Sequence, residues 1–371
     1  MISATFGQSG ATPVQPDDER IRIFRVISPI HGANRMHSVY AIENPLMDYV
    51  MHEDYAFLSR FGAKPGTMQL VEHSTFKEII KASKGYSVFP GGSGANTARA
   101  LSMLTGSDEG LGMPCFSGGI GSDDAGERFM AILGDLGIDT AMAYKDSPTG
   151  VSAIVVTPDH ERTMFTCLGA CRDFGPADVS LEYVRSSRYL YSTGYMWDTE
   201  PQKKALFAAV DEALAAKVPV CFDLADPFVV DRYYKELNDW IRGRISILFA
   251  NREELSRITE CTGTDYEILN KASRLAEIVV MKIGKGGSIV QSANRLAHAP
   301  GESVICVDTT GAGDSYSAGF LYGMLKGADP ETCARLGNRI ASRIVSVEGC
   351  RYDCIDRTDV IGPFFTNQDE T

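Results

Sequence analysis

The segment Asp308-Thr309-Thr310-Gly311-Ala312-Gly313-Asp314-Ser315 joins a strand-like run, Val304-Ile305-Cys306-Val307, to a helical one. Gly311 and Gly313 let the backbone turn tightly and approach a ligand closely. The amides of Gly311, Ala312 and Gly313 then stand at a helix N-terminus, which favours an anion. Asp314 adds a carboxylate in the same turn. An anion nest beside a base suits transfer of a phosphoryl group to a hydroxyl. The alternative is an ordinary Gly-rich loop in which Asp314 complements the helix dipole.

Two further segments carry weaker signals. Pro90-Gly91-Gly92-Ser93-Gly94-Ala95-Asn96 also precedes a helical pattern, and it lacks the Lys-Ser/Thr of a P-loop. It reads as a ligand loop or as a helix cap. Asn251-Arg252-Glu253-Glu254 follows the apolar run Ile245 to Ala250. Hard oxygen ligands there suit Mg²⁺, while Asn251 as an N-cap with acidic residues behind it is the plainer reading. Gly119 to Gly126 has the glycine spacing of a P-loop followed by Glu127-Arg128, and reads as a strand-to-helix turn.

The elements that must position these segments form a long strand/helix alternation. Strands are expected at Val39–Ile42, Pro114–Gly118, Tyr189–Ser192, Val218–Leu224, Ile245–Ala250, Ile278–Ile283 and Ser288–Gln291. Helices are expected at Gly94–Leu104, Ala125–Leu136, Pro201–Lys217, Phe228–Arg242, Tyr266–Ala276, Ala312–Leu325 and Pro330–Val347. Solidly apolar strands alternating with helices of this length predict a mostly parallel sheet covered on both faces. Two stretches break the rhythm: a hairpin, Val151–Thr157 with Arg162–Leu168, and residues 45–86. They are the candidates for a small second layer.

The chain has 371 residues, 44% of them apolar, with 36 Lys+Arg against 48 Asp+Glu and a net charge of −12. Cores stop growing near roughly 250–300 residues, so a large α/β core with an appendage or a second domain is expected. No apolar run reaches a membrane span. The acidic balance opposes nonspecific binding to nucleic acid or anionic membranes. It still permits a phosphate held by backbone amides. Nine cysteines and no apolar leader in the first twenty residues suggest a reducing cytoplasm. Cys167/Cys171 and Cys350/Cys354 read as buried thiols rather than zinc ligands. Residues 1–35 are polar and aperiodic and read as a mobile arm.

Taken together, Gly91 to Asn96 with its helix, Asp308 to Asp314, and Asn251-x-x-Glu254 resemble the ribokinase-like (PfkB) family of small-molecule kinases. The resemblance covers roughly residues 38–360. Asn44-Pro45-Leu46-Met47-Asp48 and Asp223 to Phe228 are similar to segments of its adenosine kinase branch. It implies a three-layer αβα sandwich with a mostly parallel central sheet and a small β-rich lid. The kinase domain would span 36–365, with the lid drawn from about 45–87 and 150–168.

The resemblance also implies roles. Asp314 would be the catalytic base, the amides of Gly311, Ala312 and Gly313 the anion hole, and Arg162 the lid cation on the transferred phosphate. Asp48, Gly91, Gly92 and Asn96 would hold ribose hydroxyls, Asn44 would face the base, and Met196 and Phe228 would wall the nucleoside site. ATP would meet Asn251, Thr309, Gly311, Gly313 and Asn338. Asn251 and Glu254 would organise Mg²⁺, mostly through water, and Asp308 and Thr310 would mark a monovalent-cation site for K⁺. The implied reaction is ATP- and Mg²⁺-dependent phosphorylation of a ribose 5′-hydroxyl, adenosine to AMP. A sugar kinase of the family and a catalytically silent nucleoside or sugar binder are the rivals. A monomer and a homodimer both remain open.

Overall fold

The computed structural model describes residues 37–365 apart from 107, 109, 160 and 294, so the expected arm at 1–35 lies outside the described residues. The strands in chain order are β1 (His37–Ile42), β2 (Leu46–His52), β3 (Met68–Leu70), β4 (Ser87–Gly91), β5 (Met113–Ser117), β6 (Gly119–Gly121), β7 (Asp139–Thr140) and β8 (Ala143–Lys145). They continue with β9 (Gly150–Val156), β10 (Arg162–Cys167), β11 (Ser187–Thr193), β12 (Val220–Asp223), β13 (Ile245–Asn251), β14 (Ala276–Lys282), β15 (Ser288–Ser292) and β16 (Arg295–Ala299).

Nine strands form the main sheet in the order β16-β15-β14-β13-β12-β11-β1-β5-β7. From β14 to β7 every pairing is parallel, and β15 and β16 add an antiparallel edge. Every residue of β1 and β12 is buried, as helices on both faces require. One face packs Tyr191, Phe249 and Phe320 with the helices Ser93–Thr105, Ala312–Leu325 and Pro330–Ile344. The other packs Trp197, Phe222 and Trp240 with Glu200–Ala215 and Pro227–Ile241. This is the three-layer α/β arrangement that the alternation implied.

A second sheet, β3-β10-β9-β2-β4, takes its strands from both stretches that broke the rhythm. The hairpin pairs as expected, Phe165 opposite Ala153. β2 and β4 escaped the sequence reading because they pair across a gap of about 40 residues, Met47 opposite Pro90.

Three elements differ from expectation by more than two residues. Val304–Val307 forms no strand, and Ile305 is 85% exposed. This apolar run borders a cleft instead of a sheet. The helix expected over Tyr266–Ala276 covers Asp265–Ala272, because Ala276 opens β14. The last long helix stops at Ile344, where Val345 gives its carbonyl to the amides of Val307 and Asp308. All nine cysteines are free thiols. The buried-thiol reading fits Cys167, Cys171 and Cys350 but not Cys354, which is exposed along with Cys306. Among the described residues no helix is long and apolar enough to cross a membrane.

The helix Ala312–Leu325 is buried from Ser315 onward and approaches its partner closely. A Cβ on Gly319 would lie 2.8 Å from the Leu336 carbonyl oxygen and 2.9 Å from the Gly337 Cα. Gly134, near the end of the helix Asp124–Asp135, has open space around it. The same substitution therefore has opposite signs at the two sites. Urea melts should show Gly319→Ala losing about 1–3 kcal/mol to overpacking and Gly134→Ala gaining about 0.5–1 kcal/mol.

Candidate active site

The C-terminal ends of the parallel strands open onto a cleft of about 1040 Å³, where open α/β sheets place ligands. Its floor is built by helix starts. Gly311 adopts φ 68°, a left-handed turn that favours glycine, and caps the helix carrying Asp314. The first intrahelical bond runs from the Ser315 amide to the Gly311 carbonyl at 2.8 Å. The amides of Gly313 and Asp314 therefore precede the helical ladder. The Ala312 amide instead leans on the Thr309 carbonyl at 3.3 Å.

Asp314 is gripped from the facing helix, Ser93–Thr105. Ser93 Oγ donates to Oδ1 at 2.7 Å and Asn96 Nδ2 donates to Oδ2 at 3.0 Å. Arg99 in turn donates to Asn96 Oδ1 at 3.0 Å and to the Cys350 carbonyl at 2.8 Å. Burial pushes the Asp314 carboxyl up to about 6, partly offset by the Ser93 and Asn96 hydrogen bonds. A carboxylate of that pKa is ionised at neutral pH and still basic enough to take a proton.

Asp48, on β2, faces the same space with Arg162 from β10. Burial raises its carboxyl to about 6 against the pull of Arg162 and Arg99. Gly91 backs it closely: a Cβ there would lie 2.2 Å from the Asp48 carboxyl. Asn44 is buried and its Oδ1 accepts from Gln202 Nε2. Gly92, Thr309, Thr310 and Asn338 also line the cleft. Asn338 donates to the Ala299 carbonyl at 2.8 Å and so fixes the turn after β16. Both Asp308 oxygens are engaged, Oδ1 by Thr310 and Oδ2 by the Gly349 amide. Asp308 thereby braces the loop that presents Gly311.

Asn251 and Glu254 form a reciprocal capping box. The Glu254 amide donates to Asn251 Oδ1, and the Asn251 amide donates to Glu254 Oε2, both at 2.8 Å. The plainer reading of this segment is therefore correct, and both residues nonetheless line the cleft. Burial pushes the Glu254 carboxyl upward, with Lys282 opposing and Asp223 adding to the rise.

Four of the expected site residues do not line the cleft: Gly91 lies behind Asp48, Asp308 is engaged within its own loop, and two more are elsewhere. Met196 is fully buried in the core beside Gln202, and Phe228 lies 40% exposed under Arg257. Neither lines the cleft. The 3₁₀ turn Gly194–Trp197 points Met196 inward and leaves Tyr195 on the cleft.

Of the lining residues that the sequence reading did not assign, three charged ones stand out. Lys282 ends β14 and pairs with Asp223 at 2.7 Å, its ammonium beside Gly313. Burial alone would lower its pKa, and Asp223 and Glu254 hold it above the ordinary value. A charged residue closing a buried parallel strand was the available signal. Asp198 pairs with Arg232 at 3.0 Å. Glu43 follows β1 directly and accepts the Gly94 amide at 3.0 Å.

Comparison with known proteins decides the family. The pfkB family carbohydrate kinase model matches residues 58–357. The chain belongs to the pfkB family. This pfkB kinase is 30% identical over 279 residues to a nucleoside kinase of Methanothermobacter thermautotrophicus, covering 74% of this chain and 84% of that relative. It is 25% identical to the adenosine kinase of Saccharomyces cerevisiae, covering 83% and 95%. Among solved structures, adenosine kinase from Sinorhizobium meliloti aligns with a TM-score of 0.80 and 31% identity over 86% of this chain and 96% of that one. A probable sugar kinase from Rhizobium etli aligns at 0.83 and 28%, over 89% and 98%. The fold is thus ribokinase-like and the protein is a kinase. Kinases of this family use ATP, generally with Mg²⁺.

The raised Asp314 pKa has two consequences. With Asp314 as the base that the resemblance implies, kcat/KM should fall on the acid side with an apparent pKa near 6. Because the folded-state value exceeds the ordinary 3.8, the ionised carboxylate costs stability above pH 6, and that cost fades as pH falls toward 4. Asp314→Asn should therefore raise Tm at pH 8 and converge with the wild type by pH 4 in thermal melts, while turnover drops by about 10²–10⁴-fold.

Proposed function

We propose that this kinase transfers the γ-phosphoryl of ATP to the 5′-hydroxyl of a ribonucleoside, adenosine foremost. One observation carries the reading. Residues 46 and 48 of β2, 152 and 154 of β9, 162, 164 and 166 of β10, and 68 and 70 of β3 all line the cleft. Alternate positions share one face of a sheet, so the second sheet covers the cleft with a largely apolar ceiling of Leu46, Met68, Leu70, Ile154 and Met164. Asp48 projects from the same face, and Glu43, Asn44, Asp198 and Asp314 line the cleft from outside that sheet.

A flat apolar base with a polyhydroxyl sugar suits that combination. A sugar acid suits it poorly, since its carboxylate would meet four acidic side chains. The nucleoside and adenosine kinase relatives support the same choice. The 5-dehydro-2-deoxygluconokinase of Geobacillus thermodenitrificans, 27% identical over 316 residues, supports the sugar alternative.

In the proposed reaction the acceptor oxygen forms a bond to the γ-phosphorus as the bond to the β,γ-bridging oxygen breaks and ADP leaves. The hydroxyl proton passes to Asp314. The Gly313 and Asp314 amides face the charge on the phosphoryl oxygens. The five-stranded sheet acts as a lid that carries Arg162 over the same charge and excludes water.

The donor set fits Mg²⁺. Asn251 and Glu254 offer hard oxygens, and both Glu254 oxygens already accept from Asn251. Water would bridge them to an ion held chiefly by phosphates. When bound, the ion neutralises charge on the β- and γ-phosphate oxygens.

ADP release with adenosine, inosine, ribose, fructose and a keto-sugar acid tests the proposal. Adenosine should give the highest kcat/KM. Turnover of free sugars alone overturns it, and binding without ADP release makes the protein a silent binder. Arg162→Ala should cut kcat at least tenfold more than it raises the nucleoside Kd, because it acts on developing charge. A collapse of nucleoside affinity at unchanged kcat would remove Arg162 from the lid role.

A further inference from the structure

Glu43 is 2% exposed and sits where β1 ends, its own amide bonded to the Ser117 carbonyl at 3.1 Å. The helix Ser93–Thr105 begins at Gly92, which has no side chain to cap it. Its second residue, Gly94, donates its amide to Glu43 Oε2 at 3.0 Å. The carboxylate thus fills the place of an N-cap side chain from 51 residues away.

The fit is close. A Cβ on Gly94 would lie 2.6 Å from the Glu43 Cβ, and a Cβ on Gly92 would lie 2.1 Å from the Asn44 carbonyl oxygen. The turn therefore needs glycine at both positions to seat against this strand end. The capped turn carries Ser93 and Asn96, the two side chains that grip Asp314, and Thr97, whose hydroxyl reaches the Asp314 carbonyl at 3.4 Å.

We propose that Glu43 is a positioning residue: by capping the helix Ser93–Thr105 across the β1 strand end, it fixes the Ser93–Asn96 clamp that aims Asp314 at the acceptor hydroxyl. The inference rests on Asp314 as the base of the proposed reaction. It requires no particular acceptor.

Two variants and two readouts test it. Glu43→Gln keeps an oxygen for the Gly94 amide, and Glu43→Ala removes it. In native-state hydrogen exchange, amides 94–96 should exchange about fivefold faster in Glu43→Ala and stay near wild type in Glu43→Gln. With whichever acceptor the wild type phosphorylates best, Glu43→Ala should lose about tenfold in kcat with KM for ATP within about twofold, and Glu43→Gln should restore most of it.

Unchanged exchange in Glu43→Ala overturns the proposal, as does an equal loss of kcat in both variants, which would make Glu43 a direct contact of the acceptor. A wild type that turns over only sugars overturns the nucleoside reading and leaves both tests of Glu43 standing. A wild type without turnover overturns the kinase reaction on these acceptors, and the exchange experiment still decides whether Glu43 caps the helix. If Glu43→Ala does not fold, Gly94→Ala at the same junction should give the same fast exchange and kcat loss, and wild-type behaviour in that variant overturns the cap.

Discussion

A carboxylate held between the first turns of two helices is the constraint on which the rest of this structure depends. Asp314 opens one helix, and Ser93 and Asn96, more than 200 residues earlier, open the other. Helix N-termini attract negative charge, so the two turns together stabilise an ionised group, while burial works against it. The balance leaves Asp314 near 6, ionised at neutral pH without being inert. Both helices lie on one face of the main sheet, and the helix of Asp314 is seated there by its close crossing with a third helix, Pro330–Ile344, at Gly319 and Gly337.

The cleft of this acidic chain carries both signs of charge. It contains Glu43, Asp48, Asp198, Asp223, Glu254, Glu302 and Asp314 against Lys282, Lys285 and Arg162. On the proposed reading the phosphates meet amides at a helix start, a buried Lys282 paired to Asp223, and hard oxygens suited to Mg²⁺. A net charge of −12 is therefore compatible with a phosphate held by local donors.

In the proposed reaction the acceptor end is a contrast of two surfaces. One face of a five-stranded sheet supplies apolar cover, and acidic and amide side chains supply the floor. The strands of that sheet come from two separated stretches, and they cover the cleft only because β2 pairs with β9 in parallel, Asp48 opposite Ser152. A shift of one residue would turn Leu46 and Asp48 away and bring Met47 into the cleft. Register, more than composition, sets what the acceptor meets.

The sequence by itself determined the features that depend on short-range bonding. The left-handed Gly311, the helix it caps and the Asn251–Glu254 capping box are each closed by hydrogen bonds spanning about four residues, and the parallel sheet followed from solidly apolar strands. Asp314, Asn96, Asp48 and Arg162 were named from motifs, and the fold brings them to one cleft. Only tertiary structure decided what crosses that cleft. Val304–Val307 is apolar enough for a strand yet finds no partner strand. Met196 and Phe228 have the right side chains and face the wrong way, one into the core and one toward Arg257. Glu43 and Lys282 gain meaning only when Gly94 and Asp223, 51 and 59 positions distant, fold against them. A local pattern records the hydrogen bonds a segment makes with itself, and it carries no record of the side a neighbour will approach from.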